Sequence, residues 1–201
     1  MQQTSFIFDL DGTIWDSRPW FEKAICHLST ATAATITREF ASEGNFVRVA
    51  NNLGIKPLQL IRLATKGTVG TVLRYDGVKS TLAKLQSQGV LLGIASNLPG
   101  NLARAHLSAT DLLQYFDEKY IVTPRRGIPS KPNPRGINEL IRRMNQQYVP
   151  ETYWLIGDAI SDAEAAIAAE VKFIWASYGY TKEEPPKTSR AIKRFDELLE
   201  L

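Results

Sequence analysis

Phe6-Ile7-Phe8-Asp9-Leu10-Asp11-Gly12-Thr13 joins an apolar run to two carboxylates and a glycine. The run, from Ser5 to Phe8, is rich in strand formers and breaks at Asp9. A second acid, Asp11, stands two residues further on, and Gly12 lets the backbone turn at low steric cost. The chain thus presents two acids just past the carboxyl end of a predicted buried strand. In open α/β sheets that edge is where ligands bind. The same letters alone also suit a strand that ends in a polar turn, because Asp and Gly dominate turns.

Five short apolar runs read as strands: Ser5–Asp9, Val90–Ala95, Lys119–Thr123, Thr152–Ile156 and Lys172–Ala176. Most lack strict alternation, which suits a parallel sheet covered on both faces. Helical patterns lie between them, at Val78–Gln88, Asn101–Ser108, Asn133–Met144 and the Ala-rich Ala163–Ala169, and a last helix is expected at Ser189–Leu199. Strand alternating with helix implies βαβ units and a doubly wound sheet.

One interval is too long. A single crossover joins Asp9 to Val90, and the helix at Val78–Gln88 supplies it. Roughly sixty residues, 16–75, are surplus to that connection. They hold no convincing strand. Pro19 can open a helix with Trp20, Phe21, Ala24, Ile25 and Leu28 on one face. Thr37–Leu53 and Pro57–Ala64 also read as helical. The expected division is a core of residues 1–15 and 76–201 with a helical insert of residues 16–75, placed directly after the two acids.

With 201 residues the chain can bury about 70% of its unfolded surface and needs no disulfide or structural metal to fold. Hydrophobic residues are 44% and charged residues 22%, ordinary for a soluble globular protein. The single cysteine, Cys26, excludes an intrachain disulfide and fits a reducing, cytoplasmic setting. No signal-peptide pattern or membrane span is read. A net charge of +3 permits anionic substrates without indicating nucleic acid. Arg125-Arg126 and Arg142-Arg143 read as solvated charge, and Lys182–Lys187 as a polar loop.

Three further stretches carry chemistry. Ile94-Ala95-Ser96-Asn97 puts a hydroxyl and an amide at a strand end, where they can cap the next helix or bind an anion. In Pro129-Ser130-Lys131-Pro132 the flanking prolines restrict the backbone and aim the lysine. An ammonium there suits a phosphate or clustered carboxylates. Trp154-Leu155-Ile156-Gly157-Asp158 ends a strand on an acid, and Asp162 opens the Ala-rich helix. Ser161 and Glu164 have capping-box spacing. In a parallel sheet these ends meet on one edge. Three converging carboxylates, Asp9, Asp11 and Asp158, repel one another unless a cation joins them. An all-oxygen set without His or Cys points to Mg²⁺.

Phe-Asp-Leu-Asp-Gly-Thr, Ala-Ser-Asn, Ser-Lys-Pro and Gly-Asp-x-x-x-Asp, in this order, resemble the four motifs of the haloacid dehalogenase-like hydrolases. The resemblance spans nearly the whole chain and is closest to the phosphoglycolate phosphatase-like branch. It implies a Rossmann-like core with a helical cap inserted after the first motif. It implies Asp9 as the nucleophile that becomes an aspartyl phosphate and Asp11 as general acid and base. Ser96 and Asn97 are implied to bind the phosphoryl group, with Lys131 offsetting its charge and orienting Asp9. Mg²⁺ is implied on Asp9, the Asp11 carbonyl and Asp158, supported by Asp162. The implied partner is a small phosphorylated metabolite, with no nucleic acid and no membrane.

Two positions depart from the family pattern. Trp15 replaces a small aliphatic residue and is expected to line the mouth of the site. Glu170 stands where Gly is common. The alternatives on this fold are a phosphosugar mutase, a 2-haloacid dehalogenase, which lacks the second acid and needs no metal, and a binding module without catalysis. Asp16-Ser17 and Tyr75-Asp76-Gly77 are the expected hinges. In the insert, Arg48, Lys56, Arg62 and Lys66 are weighed as contacts to a substrate anion against a solvated helix face.

Overall fold

The computed structural model describes residues 4–43, 46–68, 70–181 and 184–201, so the Lys182–Lys187 loop lies partly outside the described residues. Strands β1 (Thr4–Phe8), β4 (Leu91–Ala95), β5 (Ile121–Val122), β6 (Thr152–Gly157), β7 (Lys172–Ala176) and β8 (Arg190–Ile192) form one parallel sheet in the order β5-β4-β1-β6-β7-β8. The order reverses at β1, so the switch point of the sheet falls on Asp9.

Alternate residues of the strands enter two separate cores. Phe6 and Phe8 pack with Leu82, Leu85, Leu102 and Leu107, from helices α5 (Val78–Ser87) and α6 (Gly100–Ala109). Ile7 and Leu155 pack on the other face with Ile137, Leu140, Ala163 and Ala166, from α7 (Arg135–Met144) and α8 (Ile160–Ala168). Burial on both faces is the reason the strands read as continuous apolar runs.

Three expectations need correction. Ser189–Leu199 is not a helix: it gives strand β8 and then a 3₁₀ helix, Phe195–Glu200. The open edge of β7 offers a ladder to Arg190–Ile192, and the three-residue spacing of Ile192, Phe195 and Leu198, all buried, fits a 3₁₀ turn. The strand expected at Lys119–Thr123 shrinks to two residues, because Asp117 accepts the Lys119 N–H and starts a 3₁₀ turn over Glu118–Tyr120. The insert is not free of strand at its ends. β2 (Trp15–Asp16) and β3 (Leu73–Arg74) pair antiparallel, so its two connections run side by side.

Between β2 and β3 lie α1 (Arg18–Leu28), α2 (Ala33–Glu43), α3 (Phe46–Asn52) and α4 (Pro57–Lys66). The helical reading of Thr37–Leu53 is met by α2 and α3, with residues 44 and 45 outside the described set. Trp20, Phe21, Ala24 and Ile25 of α1 are buried, and Trp20 stands edge-on to His106 of α6, 4.4 Å between ring centroids. Arg48, Lys56, Arg62 and Lys66 are all exposed, in keeping with a solvated face. Among the described residues no helix is long and apolar enough to cross a membrane.

His106 is 1% exposed and its Nε2 has no hydrogen-bond partner among the described residues. Burial lowers its pKa to about 4. The folded state then binds fewer protons than the unfolded chain between pH 4 and the ordinary histidine value near 6.5. The His106 contribution to stability is therefore whole above about pH 6.5 and is lost as the pH drops toward 4. Between pH 7.5 and pH 5, urea unfolding should show the wild type losing about 2 kcal/mol relative to His106→Leu. An unchanged pH dependence in the variant would mean that His106 is not the group responsible.

Candidate active site

The chain leaves β1 at Asp9, whose N–H continues the ladder to the Ile156 carbonyl, 2.9 Å. It then folds back at once. The N–H groups of Ile14 and Trp15 reach the Leu10 carbonyl, and the Gly12 N–H reaches the Trp15 carbonyl. Gly12 has φ +80°, and a Cβ there would run into the Asp158 carboxyl group, so glycine is required twice over. This turn carries Asp11 past the sheet edge while Asp9 stays in it.

Lys131 comes from the loop before α7, nine residues beyond the end of β5 rather than at a strand end. Its Nζ lies 2.6 Å from Asp9 Oδ1 and 2.6 Å from Asp162 Oδ1. The Lys131–Pro132 peptide is cis. Asn97 grips the lysine main chain: its Oδ1 accepts the Lys131 N–H at 2.8 Å and its Nδ2 donates to the Lys131 carbonyl at 3.2 Å. The Asn97 side chain, expected at the phosphoryl group, here ties the Ser96-Asn97 strand end to the lysine loop. Ser96 is buried, and its Oγ accepts the Leu98 N–H at 3.2 Å, leaving its own O–H to donate.

Asp158 follows β6 and is buried, with Oδ2 accepting the Tyr180 N–H at 2.6 Å. Asp162 opens α8, and its Oδ2 accepts the Ala159 N–H at 3.0 Å. The helix starts at Ile160, so Asp162, rather than the Ser161 and Glu164 pair, satisfies the first turn. Carboxylate oxygens of Asp9, Asp158 and Asp162 lie within 4.8 Å of one another. Asp162, expected to support the metal shell, thereby joins the carboxylate cluster directly.

Charge in this cluster is unbalanced. Three buried carboxylates face one ammonium. Burial pushes the Asp9 carboxyl well up, Lys131 draws it back in part, and Asp162 adds to the rise. Burial, followed by Asp162, raises Asp158 to about 7. Burial alone would push the Lys131 ammonium down, but the Asp162 and Asp9 carboxylates hold it above its ordinary value. A hard divalent cation would relieve this excess of negative charge, and an all-carboxylate donor set suits one.

Asp11 is half-buried and its pKa is raised by burial, against the opposing hydrogen bonds of Ser17 and Trp15. Trp15 is fully buried and does not line the mouth, contrary to expectation. The turn at Gly12 folds it inward under Asp11, and its Nε1 donates to Asp11 Oδ1 at 2.8 Å.

The loop after β7 supplies residues missed in the sequence. The Tyr178 hydroxyl donates to the Thr13 carbonyl at 2.8 Å. The Tyr180 hydroxyl accepts the Ser17 N–H at 2.8 Å and lies 3.0 Å from Ser17 Oγ. Gly179 between them admits no side chain, since a Cβ would strike Asp158 and the Gly12 carbonyl. The available signal was positional: Tyr178-Gly179-Tyr180 follows a fifth apolar run, as the other site residues follow theirs.

The family model of the haloacid dehalogenase-like hydrolases matches residues 6–176. The chain is 28% identical to a phosphoglycolate phosphatase of Pseudomonas fluorescens (strain Pf0-1), across 97% of this chain and 77% of that protein. It is 29% identical to a phosphoglycolate phosphatase of Rhodobacter capsulatus, across 96% and 92%. Among solved structures, CbbY from Rhodobacter sphaeroides in complex with phosphate superposes with a TM-score of 0.70 at 17% identity, covering 98% of this chain and 96% of that one. A HAD phosphatase from Thermococcus onnurineus gives 0.67 at 22%, covering 98% and 97%. At such identities the structures speak for the fold alone, and the sequence match for the family. The four motifs, the single sheet edge on which they meet and the matched span agree: the chain belongs to the haloacid dehalogenase-like hydrolases.

Proposed function

We propose that the protein hydrolyses a small phosphate monoester in two steps, through a phosphoryl group carried on Asp9. The observation that carries this reading is the meeting of Asp9, Asp158 and Asp162 within 4.8 Å around one lysine, with a second acid two residues beyond Asp9. Asp9 is at the switch point with Lys131 on its Oδ1, so its free oxygen is the nucleophile. As the ester P–O bond breaks, Asp11 gives its proton to the departing alkoxide oxygen. It then takes a proton from the water that attacks the aspartyl phosphate, which returns Asp9 and releases inorganic phosphate. Ser96 donates its hydroxyl to a phosphoryl oxygen, and Lys131 offsets the charge spread over the others.

Asp9, Asp158 and the Asp11 carbonyl would hold Mg²⁺, with Asp162 completing or supporting the set. When bound, the ion supplies positive charge against the phosphoryl oxygens. Asp11 speaks against a dehalogenase, which works without a second acid. Residues 16–75 act as a lid: their paired connections, β2 and β3, leave and rejoin the core beside Asp11 and limit the site to small esters. The curated relatives make 2-phosphoglycolate the first substrate to try.

The test is turnover of phenyl phosphate and 2-phosphoglycolate with Mg²⁺ and with excess chelator. Activity that needs Mg²⁺ and is lost on chelation is expected. Full activity in chelator would overturn the metal reading.

A further inference from the structure

We propose that Trp15 is a positioning residue for Asp11: its indole N–H holds Oδ1 of that carboxyl so that the other oxygen is the one that trades a proton with the leaving alcohol. The proposal rests on Asp11 being the general acid and base, as argued above.

The geometry is specific. Trp15 is fully buried, and its Nε1 stands 2.8 Å from Asp11 Oδ1. A buried indole N–H needs an acceptor, and Asp11 is the one it has. The ring cannot swing away. His106 lies edge-on to it at 5.8 Å between centroids, and Trp20 backs His106 at 4.4 Å. From the chain side, the Leu10 and Trp15 carbonyls close the turn that joins the two residues. Asp11 is therefore clamped to a ring that is itself clamped by α1 and α6.

The chemistry follows from the indole being a donor only. It occupies Oδ1 as an acceptor and leaves Oδ2 to carry the proton. An aliphatic side chain could fill the same space, but it would leave the carboxyl tied by Ser17 without the indole N–H that fixes Oδ1. Orientation of this kind supplies part of a general acid's effect, because the proton must start within hydrogen-bond reach of the oxygen it joins. The bland alternative is that Trp15 is only a core side chain.

Leaving groups separate the two. Phenyl phosphate releases a phenolate that gains from a proton, whereas 2,4-dinitrophenyl phosphate releases one that departs without it. The ratio kcat/KM stops at departure of the alcohol, so it reports the step that Asp11 assists. Two variants are compared with the wild type in Mg²⁺: Trp15→Phe, and replacement of Trp15 by 3-benzothienylalanine, which keeps the ring shape and puts sulfur in place of the N–H. In both, kcat/KM for phenyl phosphate should fall about 10- to 100-fold, a share of the ~10²–10⁴ that a general acid provides. For 2,4-dinitrophenyl phosphate it should stay within about threefold of wild type. Equal losses on both esters, or none on either, in the shape-keeping variant would overturn the proposal, even if Trp15→Phe does not fold. Asp11→Asn is the control for the premise. If its loss is no larger on phenyl phosphate than on 2,4-dinitrophenyl phosphate, the acid–base reading of Asp11 fails, and this proposal with it. If its loss is larger on phenyl phosphate while that of the Trp15 variants is not, only the proposal fails.

Discussion

Asp9→Asn is expected to lower turnover by about 10⁴-fold or more, since removing a nucleophile usually costs as much as removing the whole catalytic unit. An amide nitrogen or oxygen here is a poor nucleophile toward phosphorus, and no second carboxylate takes its place. Asp158 and Asp162 each spend an oxygen on a backbone N–H, and Asp162 is also tied to Lys131. The fold should survive, because Lys131 keeps Asp162 as a partner at 2.6 Å. Rapid quench of the wild type with a phosphate ester, followed by peptide mapping, should place phosphate on Asp9 and on no other residue. The variant should give none. Phosphate trapped elsewhere in the wild type would overturn the assignment.

The second large effect is expected at Lys131, and it should appear in stability as well as in rate. Its ammonium lies between two buried carboxylates, and its side chain is 6% exposed. Lys131→Met keeps the length of the side chain and removes the charge. Asp9 and Asp162 would then face each other without a counter-charge. Breaking a buried ion pair by removing one member typically costs ~3–5 kcal/mol. Urea unfolding in chelator should register a loss of that order, and added Mg²⁺ should restore part of it by supplying the missing charge. Turnover should fall by about 10²–10³-fold, the usual loss when one group that stabilises developing charge is removed. Lys131→Arg should rescue little, because a planar guanidinium does not replace a compact ammonium held by two oxygens. Unfolding at the wild-type urea concentration would show that the pairs contribute nothing to the fold.

Asn97 should affect Lys131. Its amide holds both the N–H and the carbonyl of the lysine, so the Ser96-Asn97 strand end and the lysine loop form one unit. The Tyr178 and Tyr180 hydroxyls join the loop after β7 to Thr13 and Ser17 in the same way.

The order of the motifs, the apolar runs and the oversized interval after Asp11 were enough to specify a parallel α/β sheet, its carboxyl edge as the site and a helical segment inserted beside it. These are properties of spacing along the chain. A run buried on both faces reads as continuous apolar sequence, and an acid that ends such a run must lie at the edge. Asp9, Ser96 and Asp158 were legible for that reason, and Asp162 by its place at a helix start. Lys131 was legible through its flanking prolines. The partner each polar atom finds was decided by tertiary structure, because those partners lie far apart in sequence. Lys131 reaches Asp9 across 122 positions, and Tyr178 reaches Thr13 across 165. Trp15 shows the difference most sharply. An aromatic residue four positions after Asp11 can face solvent or core, and only the tight turn at Gly12, with His106 and Trp20 packed behind, puts its N–H on the carboxyl. The strand at Arg190–Ile192 has the same origin: a segment with helical spacing became sheet because β7 presented an open edge, and a neighbour's unpaired backbone is not written in the segment that pairs with it.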